Sequence, residues 1–136
     1  MLEKLPAGVN VQTLVLLASA LSPGYDLSSA LSHVDGRAIV FYSRYDDLVL
    51  GVGTKTLGTY DRQFVEAAGK VGFDKPASPE AAAAYAKLVQ FPYETRWATL
   101  GNDGAHIGVM SARFAKTILS PIINGRPLPT TWPSGP

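Results

Sequence analysis

Asp46 and His106 are the two side chains of this sequence whose types and order are typical of acid–base chemistry. A carboxylate that accepts a hydrogen bond from Nδ1–H of a histidine fixes the tautomer of the ring and stabilises its protonated form. Nε2 of that histidine can then take a proton from a nucleophile. The pair therefore indicates a general base of the type used in acyl transfer, and both residues are candidate catalytic residues.

Two strand-like runs are expected to place this pair at one edge of a sheet. The run Ala38–Tyr42 is rich in β-branched and aromatic residues and ends just before Asp46. A second run, Glu94–Leu100, leads into the glycine-rich loop that holds His106. Catalytic groups of open α/β sheets lie at the carboxyl ends of the strands. We therefore predict that Asp46 and His106 approach within hydrogen-bond distance, roughly 2.6–3.2 Å.

The order of the predicted elements indicates an α/β fold. Val11–Ala18 is apolar without alternation, as in a strand that is covered on both faces. A short helix, Leu27–His33, follows with Asp26 as its N-cap, and Asp35-Gly36 is expected to close it. Three parallel strands are therefore predicted, with Ala38–Tyr42 in the middle. They would form a three-layer α/β/α arrangement with a small, mostly parallel sheet.

The remaining segments are predicted to be helices, one loop and a tail. Apolar spacing and capping residues predict helices over Tyr60–Val71, over Ser78–Val89 with Ser78 as N-cap, and over Gly108–Leu119. The glycine- and threonine-rich segment Leu48–Gly58 is expected to be an irregular loop. Residues 1–123 are thus expected to form a single α/β domain, followed by a proline-rich extended tail over residues 124–136.

Composition excludes several classes of function. The chain has 136 residues, a net charge of +1 and no cysteine, so disulfides and thiolate metal sites are excluded. No basic stripe indicates a nucleic-acid partner. The two histidines lack the spacing of a zinc site, and no cofactor is expected. No run reaches the roughly 18 apolar residues of a membrane span.

The N-terminus allows two interpretations. Lys4, the apolar run that follows and the A-x-A-like Ala18-Ser19-Ala20 are features of a signal peptide. Glu3 offsets the charge of Lys4, however, and turn-forming residues separate that charge from the apolar run. We therefore favour a buried strand and a cytoplasmic location, with secretion as the alternative.

These motifs, in this order, resemble the C-terminal half of an α/β-hydrolase. In that family the triad follows the order Ser, Asp, His, with the acid after the seventh strand and the histidine after the eighth. Ser43-Arg44-Tyr45-Asp46 stands in the place of the family's G-x-x-D, and Leu48-Val49 match the apolar pair that follows it. Gly101–His106 resembles the G-x-x-G-x-H loop, and Leu14–Pro23 resembles the sixth strand with its following loop. The resemblance covers about residues 11–123 and implies a partial α/β-hydrolase fold.

The resemblance implies that Asp46 and His106 are the acid and the histidine of a Ser-His-Asp triad in an esterase-like hydrolase. The family's upstream strands, oxyanion loop and G-x-S-x-G nucleophile motif are missing from the sequence. Ser43 lies on the turn of the acid and Ser111 in a predicted helix, so neither replaces the nucleophile. Hydrolysis of a small acylated substrate is therefore expected only when the chain is joined to a segment that bears the nucleophile.

Other interpretations remain open. Asp46 and its neighbour Asp47 could be turn or capping residues, and His106 an ordinary loop residue. The chain could be a noncatalytic α/β module that binds a partner, or a small enzyme that uses the pair directly. Gly51–Thr56 lacks the glycine that precedes the lysine of a phosphate loop.

The apolar strand Val11–Ala18 also predicts a homo-oligomer, or docking onto a complementary hydrolase segment, because three strands cannot cover it fully.

Overall fold

A three-stranded parallel sheet forms the centre of the computed structural model, which describes residues 2–47, 59–76, 78–129 and 131–132. Among these residues the strands are β1 (Val11–Leu17), β2 (Val34–Tyr42) and β3 (Leu88–Pro92). β2 lies in the middle and pairs in parallel with both neighbours. The predicted α/β class and the central position of the second strand are therefore confirmed. The predicted loop Leu48–Gly58, which includes Leu48-Val49 and Gly51–Thr56, lies outside the described residues.

Short helices connect and cover the strands. The described residues form α1 (Ser28–Ser32), α2 (Ala68–Val71), α3 (Pro79–Tyr85), α4 (Ala112–Phe114) and α5 (Ser120–Ile123), and the π turn Ala115–Leu119 joins the last two. We refer to Ala112–Ile123 as the C-terminal helix. Shorter 3₁₀ helices lie at Leu2–Lys4, Thr95–Leu100 and Gly108–Met110. No helix in the described ranges is long and apolar enough to cross a membrane.

Burial of β2 on both of its faces produces the three layers. Because successive side chains of a strand point to opposite faces, its apolar run serves two cores. On one face Ile39 and Phe41 pack against the C-terminal helix, and on the other Ala38 and Val40 pack against α1 and α2. Full burial of a large apolar side chain contributes on the order of 1.5–3 kcal/mol. The predicted α/β/α arrangement follows from this two-sided burial.

The third strand lies earlier in the chain than predicted. The predicted strand Glu94–Leu100 is wrong, because Thr95–Leu100 is a 3₁₀ helix and β3 occupies Leu88–Pro92. Trp97 and Leu100 are both buried and lie three residues apart, which is the period of a 3₁₀ helix. Apolar residues at this spacing were mistaken for a strand. His106 is therefore separated from the end of β3 by a helix as well as by a loop.

The helix predicted before this strand is also too long. α3 ends at Tyr85, whereas the sequence predicts a helix as far as Val89. Gln90 lies in β3, and its side-chain amide bonds both the N–H and the C=O of Phe73, at 2.7 and 2.8 Å. Pairing with β2 and this amide bridge hold the segment extended. Tertiary contacts therefore outweigh the helix propensity of the preceding alanines.

The predicted helix Tyr60–Val71 is confined to its last turn, α2. Arg62 has a left-handed φ of 63°, which interrupts a helix. Asp61 does not cap a helix but accepts hydrogen bonds from the N–H and the hydroxyl of Ser22. Burial raises the pKa of Asp61, but hydrogen bonds from Ser22 and Thr59 outweigh it and lower this pKa overall. The segment is therefore tied to the loop after β1.

The predicted helix Gly108–Leu119 begins and ends later in the structure. Gly108–Met110 is a separate 3₁₀ turn, and the C-terminal helix continues beyond the predicted end. Pro121 lies within it, although the proline ring would clash with the carbonyl of Thr117 in a regular α-helix. The π turn widens the backbone just before this proline. The helix can therefore continue past Pro121.

α3 begins where the sequence predicts, whereas α1 begins at Ser28, one residue later than predicted, with Leu27 and not Asp26 in the N-cap position. Oδ1 of Asp26 accepts the N–H of Ser28 at 2.8 Å, and hydrogen bonding from Ser28 lowers the pKa of Asp26. The hydroxyl of Ser78 accepts the N–H of Ala81 at 3.1 Å, as an N-cap does. Asp35-Gly36 does not close α1 as predicted, because both residues already belong to β2.

The described part of the tail contributes to the core without forming a helix or a strand. Trp132 is only 7% exposed. Its ring centroid lies between 4.8 and 5.9 Å from those of Phe41, Phe91 and Trp97. Leu128 packs against the same cluster. The extended segment therefore covers part of the sheet face that also carries the C-terminal helix.

Replacement of Trp132 by alanine tests the role of the tail. We expect Trp132→Ala to lower the free energy of unfolding by about 3–5 kcal/mol, because a buried aromatic side chain is lost. Tyr60→Ala is the matched control, since Tyr60 is 85% exposed and its loss should change stability by less than about 0.5 kcal/mol. Urea denaturation measures both. Equal effects of the two variants would contradict a core role for Trp132.

Candidate active site

The acid is placed by the end of β2. Beyond the sheet pairing, the N–H of Ser43 donates to the carbonyl of Gly69 at 2.8 Å. The turn then closes with the N–H of Asp46 on the carbonyl of Ser43 at 2.9 Å, and Oγ of Ser43 accepts the N–H of Tyr45 at 3.2 Å. The Asp46 side chain is 6% exposed. The turn therefore directs the carboxylate toward the interior and away from solvent.

The histidine is placed by a compact loop that follows the Thr95–Leu100 helix. Gly101 has a left-handed φ of 80°, and the N–H of Asn102 returns to the carbonyl of Trp97 at 3.1 Å. Oδ1 of Asn102 then accepts the N–H of Gly104 at 3.0 Å. At the far end of the loop, the hydroxyl of Ser111 donates to the carbonyl of Leu100 at 2.7 Å. Hydrogen bonds at both ends therefore close the loop, and His106 lies within the closed segment.

Gly104 is the point where the histidine loop meets the turn of the acid. Its φ is 87°, a left-handed value that favours glycine. A Cβ atom at this position would lie 2.9 Å from Oγ of Ser43 and 3.1 Å from the ring of Tyr93. Only a residue without a side chain therefore allows the two loops to approach each other at this position.

Asp46 and His106 form the predicted contact. Nδ1 of His106 lies 2.8 Å from Oδ1 of Asp46. An ionised carboxylate only accepts, so Nδ1 carries the proton and donates it, which leaves Nε2 as the acceptor nitrogen. The His106 side chain is 33% exposed. The predicted distance is confirmed, and the catalytic roles of both residues stay predictions.

The neighbouring carboxylate, Asp47, is engaged elsewhere. Its side chain is largely exposed and pairs with Lys70 at 3.0 Å. Hydrogen bonds that Lys70 donates to Asp47 and then to Glu66 raise the pKa of Lys70. This ion pair supports the choice of Asp46, rather than Asp47, as the partner of the histidine.

A small cavity of ≈ 20 Å³ lies beside Asp46, lined by residues that include Ser43, Tyr93, Trp97 and Asn102. A single water molecule needs roughly 10–15 Å³. Burial raises the pKa of the Tyr93 phenol, and the charge of Asp103 adds to this effect. The volume of this cavity therefore corresponds to about one water molecule.

The two serines weighed as nucleophiles in the sequence, Ser43 and Ser111, both form hydrogen bonds within local structure. Oγ of Ser43 accepts a backbone N–H of its own turn, and the hydroxyl of Ser111 donates to the carbonyl of Leu100. Gly104 is the second glycine of the predicted G-x-x-G-x-H loop. Asn102 and Tyr93 were not singled out in the sequence, although Asn102-Asp103 between two glycines is a recognisable turn signal. Among the described residues no group of three or more His, Cys, Asp or Glu side chains could hold a metal ion.

Comparisons with protein-family models, curated proteins and solved structures found no match for this chain. The fold and the site define a small α/β protein that carries a histidine–carboxylate pair beyond the carboxyl end of its central strand.

Substitution of Gly104 tests whether loop contact maintains the pair. Gly104→Ala introduces both a strained φ and a clash with the acid's turn, whereas Gly125→Ala introduces only the strain, since nothing lies within 4 Å of its Cβ position. We expect Gly125→Ala to cost about 1 kcal/mol and Gly104→Ala at least about 2 kcal/mol. Only Gly104→Ala should also weaken the His106–Asp46 hydrogen bond, as measured by NMR of the imidazole nitrogens. If the two variants lose the same stability and retain the same His106–Asp46 hydrogen bond, Gly104 does not support the pair through contact with the turn of the acid.

Proposed function

We propose that this chain supplies the acid and the histidine of a Ser-His-Asp triad. Ester or acyl hydrolysis would then require a segment that bears the nucleophile. The observation that carries the proposal is the 2.8 Å hydrogen bond between a buried Asp46 carboxylate and a partly exposed His106. The order of acid and histidine in the sequence, and the position of Asp46 beyond a parallel strand, support it. The resemblance to the C-terminal half of an α/β-hydrolase has the same implication.

The chemistry follows from the division of roles between the two nitrogens. As a serine oxygen attacks the acyl carbon, its proton passes to Nε2 of His106 and the ring becomes an imidazolium. Asp46 stabilises that charge through Nδ1–H without taking the proton. The imidazolium then protonates the leaving alcohol, and a water molecule repeats the cycle to release the acid. Asp46 is buried while one third of the His106 ring is exposed, which suits a base that must be reached by a separate nucleophile.

Chemical modification tests the base directly in the isolated chain. Diethyl pyrocarbonate acylates the unprotonated nitrogen of an imidazole, and mass spectrometry of peptides separates His106 from His33. We expect Asp46→Asn to slow modification of His106 by about tenfold, because the amide no longer fixes the tautomer with Nε2 unprotonated. His33, whose Nδ1 lies 2.9 Å from the carbonyl of Val9, should react at the same rate in both proteins. An unchanged rate at His106 would refute the proposed role of Asp46.

The isolated chain is expected to have no appreciable esterase activity. A histidine–carboxylate pair supplies base catalysis, but acyl transfer also needs a nucleophile and an oxyanion hole. Hydrolysis of p-nitrophenyl acetate by the wild-type chain should therefore match that of the His106→Ala variant. Turnover that a serine-directed fluorophosphonate abolishes would show that the chain contains its own nucleophile.

A second candidate function is assembly through the edge of β1, as in a noncatalytic binding or oligomerisation module. The two edge strands differ in how they are protected. β3 has only five residues and ends at Pro92, which has no N–H to donate to a further strand. β1 has seven residues, VQTLVLL, without a charge or a proline. The exposed Val9 precedes it, and α5, with the exposed Ile123, packs against it.

The proposed assembly is a twofold dimer in which β1 pairs with β1 of a second copy. An antiparallel pairing centred on Leu14 would bring Thr13 of one copy beside Val15 of the other, and no charged side chains of β1 would meet. We expect sedimentation at micromolar concentrations to give a dimer that Thr13→Lys dissociates. Ser29→Lys, an equal charge change on α1, should leave it intact. A monomeric wild-type chain would exclude this assembly.

A further inference from the structure

A buried side chain lies between the two loops that carry the pair. Asn102 is only 3% exposed and lines the small cavity beside Asp46. Polar side chains are seldom buried without a hydrogen-bonding role. Oδ1 of Asn102 accepts the N–H of Gly104, which is itself buried, at 3.0 Å. This bond fixes the backbone of the residue that touches the turn of the acid.

The same side chain restricts the far side of the loop. A Cβ atom on Gly108 would lie nearest to Oδ1 and N of Asp103 and 3.1 Å from Oδ1 of Asn102, so the loop folds back closely over both residues before the C-terminal helix begins. The N–H of Asn102 is bonded to the carbonyl of Trp97, a core residue with 1% exposure. Asn102 therefore connects the rigid core to both arms of the loop that presents His106.

The neighbouring Asp103 makes the same type of turn without this burial. Its Oδ1 accepts the N–H of Ala105 at 3.0 Å, in an exposed position where water can replace the bond. The two adjacent residues thus form equivalent turns that differ in access to solvent. Loss of the buried bond leaves a donor unsatisfied, whereas loss of the exposed bond does not.

We propose that Asn102 is a positioning residue that holds the His106 loop against the turn of Asp46. The proposal rests on the proposed function, because the pair has to be in place for Nε2 to act as a base. Asn102 acts through the backbone of Gly104 and has no role in proton transfer. Its replacement should therefore loosen the hydrogen bond between Nδ1 of His106 and Asp46 while the remainder of the fold stays intact.

Exchange of the Nδ1 proton with solvent, followed by NMR, measures this bond. We expect Asn102→Ala to speed exchange at His106 by at least about fivefold, because a buried N–H loses its acceptor. Asn102→Ser, whose hydroxyl can accept the same bond, should restore part of the protection. Asp103→Ala, the matched control, should change the rate by less than about twofold. Exchange of the backbone amides of Ala38, Ile39 and Val40, which have no exposed surface, corrects each rate for global unfolding.

The outcomes separate this proposal from the proposed function. If Asn102→Ala leaves the His106 rate unchanged while Asp46→Asn speeds exchange, Asn102 has no positioning role and the acid–base proposal is unaffected. If Asp46→Asn changes neither exchange nor modification of His106, the acid–base proposal itself fails. If Asn102→Ala does not fold, comparison of Asn102→Ser with Asp103→Ala decides, since only the former should speed exchange. Equal rates in those two variants would overturn the positioning role.

Discussion

Burial of β2 between two layers is the constraint on which the site depends. Ala38, Ile39 and Val40 have no exposed surface, so both faces of the strand are fully used. A shift of one residue in its register would turn every one of these side chains to the opposite core. The register with β1 and β3 is therefore tightly specified, and so is the point where β2 ends. Packing of the core therefore fixes the position of Asp46, which follows the end of β2.

His106 obtains its position in a different way. No strand leads directly into its loop, and the contacts that shape the loop are hydrogen bonds of its own backbone and side chains. The acid is thus held by apolar burial over the whole domain, and the histidine by polar contacts over a dozen residues. Each hydrogen bond of this kind contributes about 0.5–1.5 kcal/mol to stability. The histidine side of the pair is therefore the more easily perturbed.

This difference also explains what could be predicted from the sequence. The β2 run is long, apolar and β-branched, so the central strand and the turn of Asp46 were recognisable. β3 is a five-residue strand directly after an alanine-rich helix, and its identity depends on pairing with β2 and on the Gln90 bridge to Phe73. These contacts join residues that are distant in sequence, so no local sequence pattern indicates them. The contact of Asp46 with His106 was still anticipated, because the glycine-rich loop itself was recognisable.

The burial of Trp132 and the burial of Asn102 could not be predicted from the sequence for the same reason. A tryptophan among prolines has no periodicity to indicate a core position, and it is buried because it meets three other aromatic rings. Asn102 is buried because the loop closes over it. Both depend on elements that come together only in the folded chain.

The unequal protection of the two edge strands has a consequence for growth of the sheet. A chain with two open edges can add copies without limit and form filaments. Among the described strands, the edge strand β3 ends at Pro92, whereas the edge strand β1 has no proline, so the proposed pairing of copies uses β1. Once that edge is paired with a second copy, both outer edges of the resulting six-stranded sheet are β3 edges. In the proposed dimer, addition would then terminate at two copies, because β1 permits pairing while Pro92 on β3 opposes further growth.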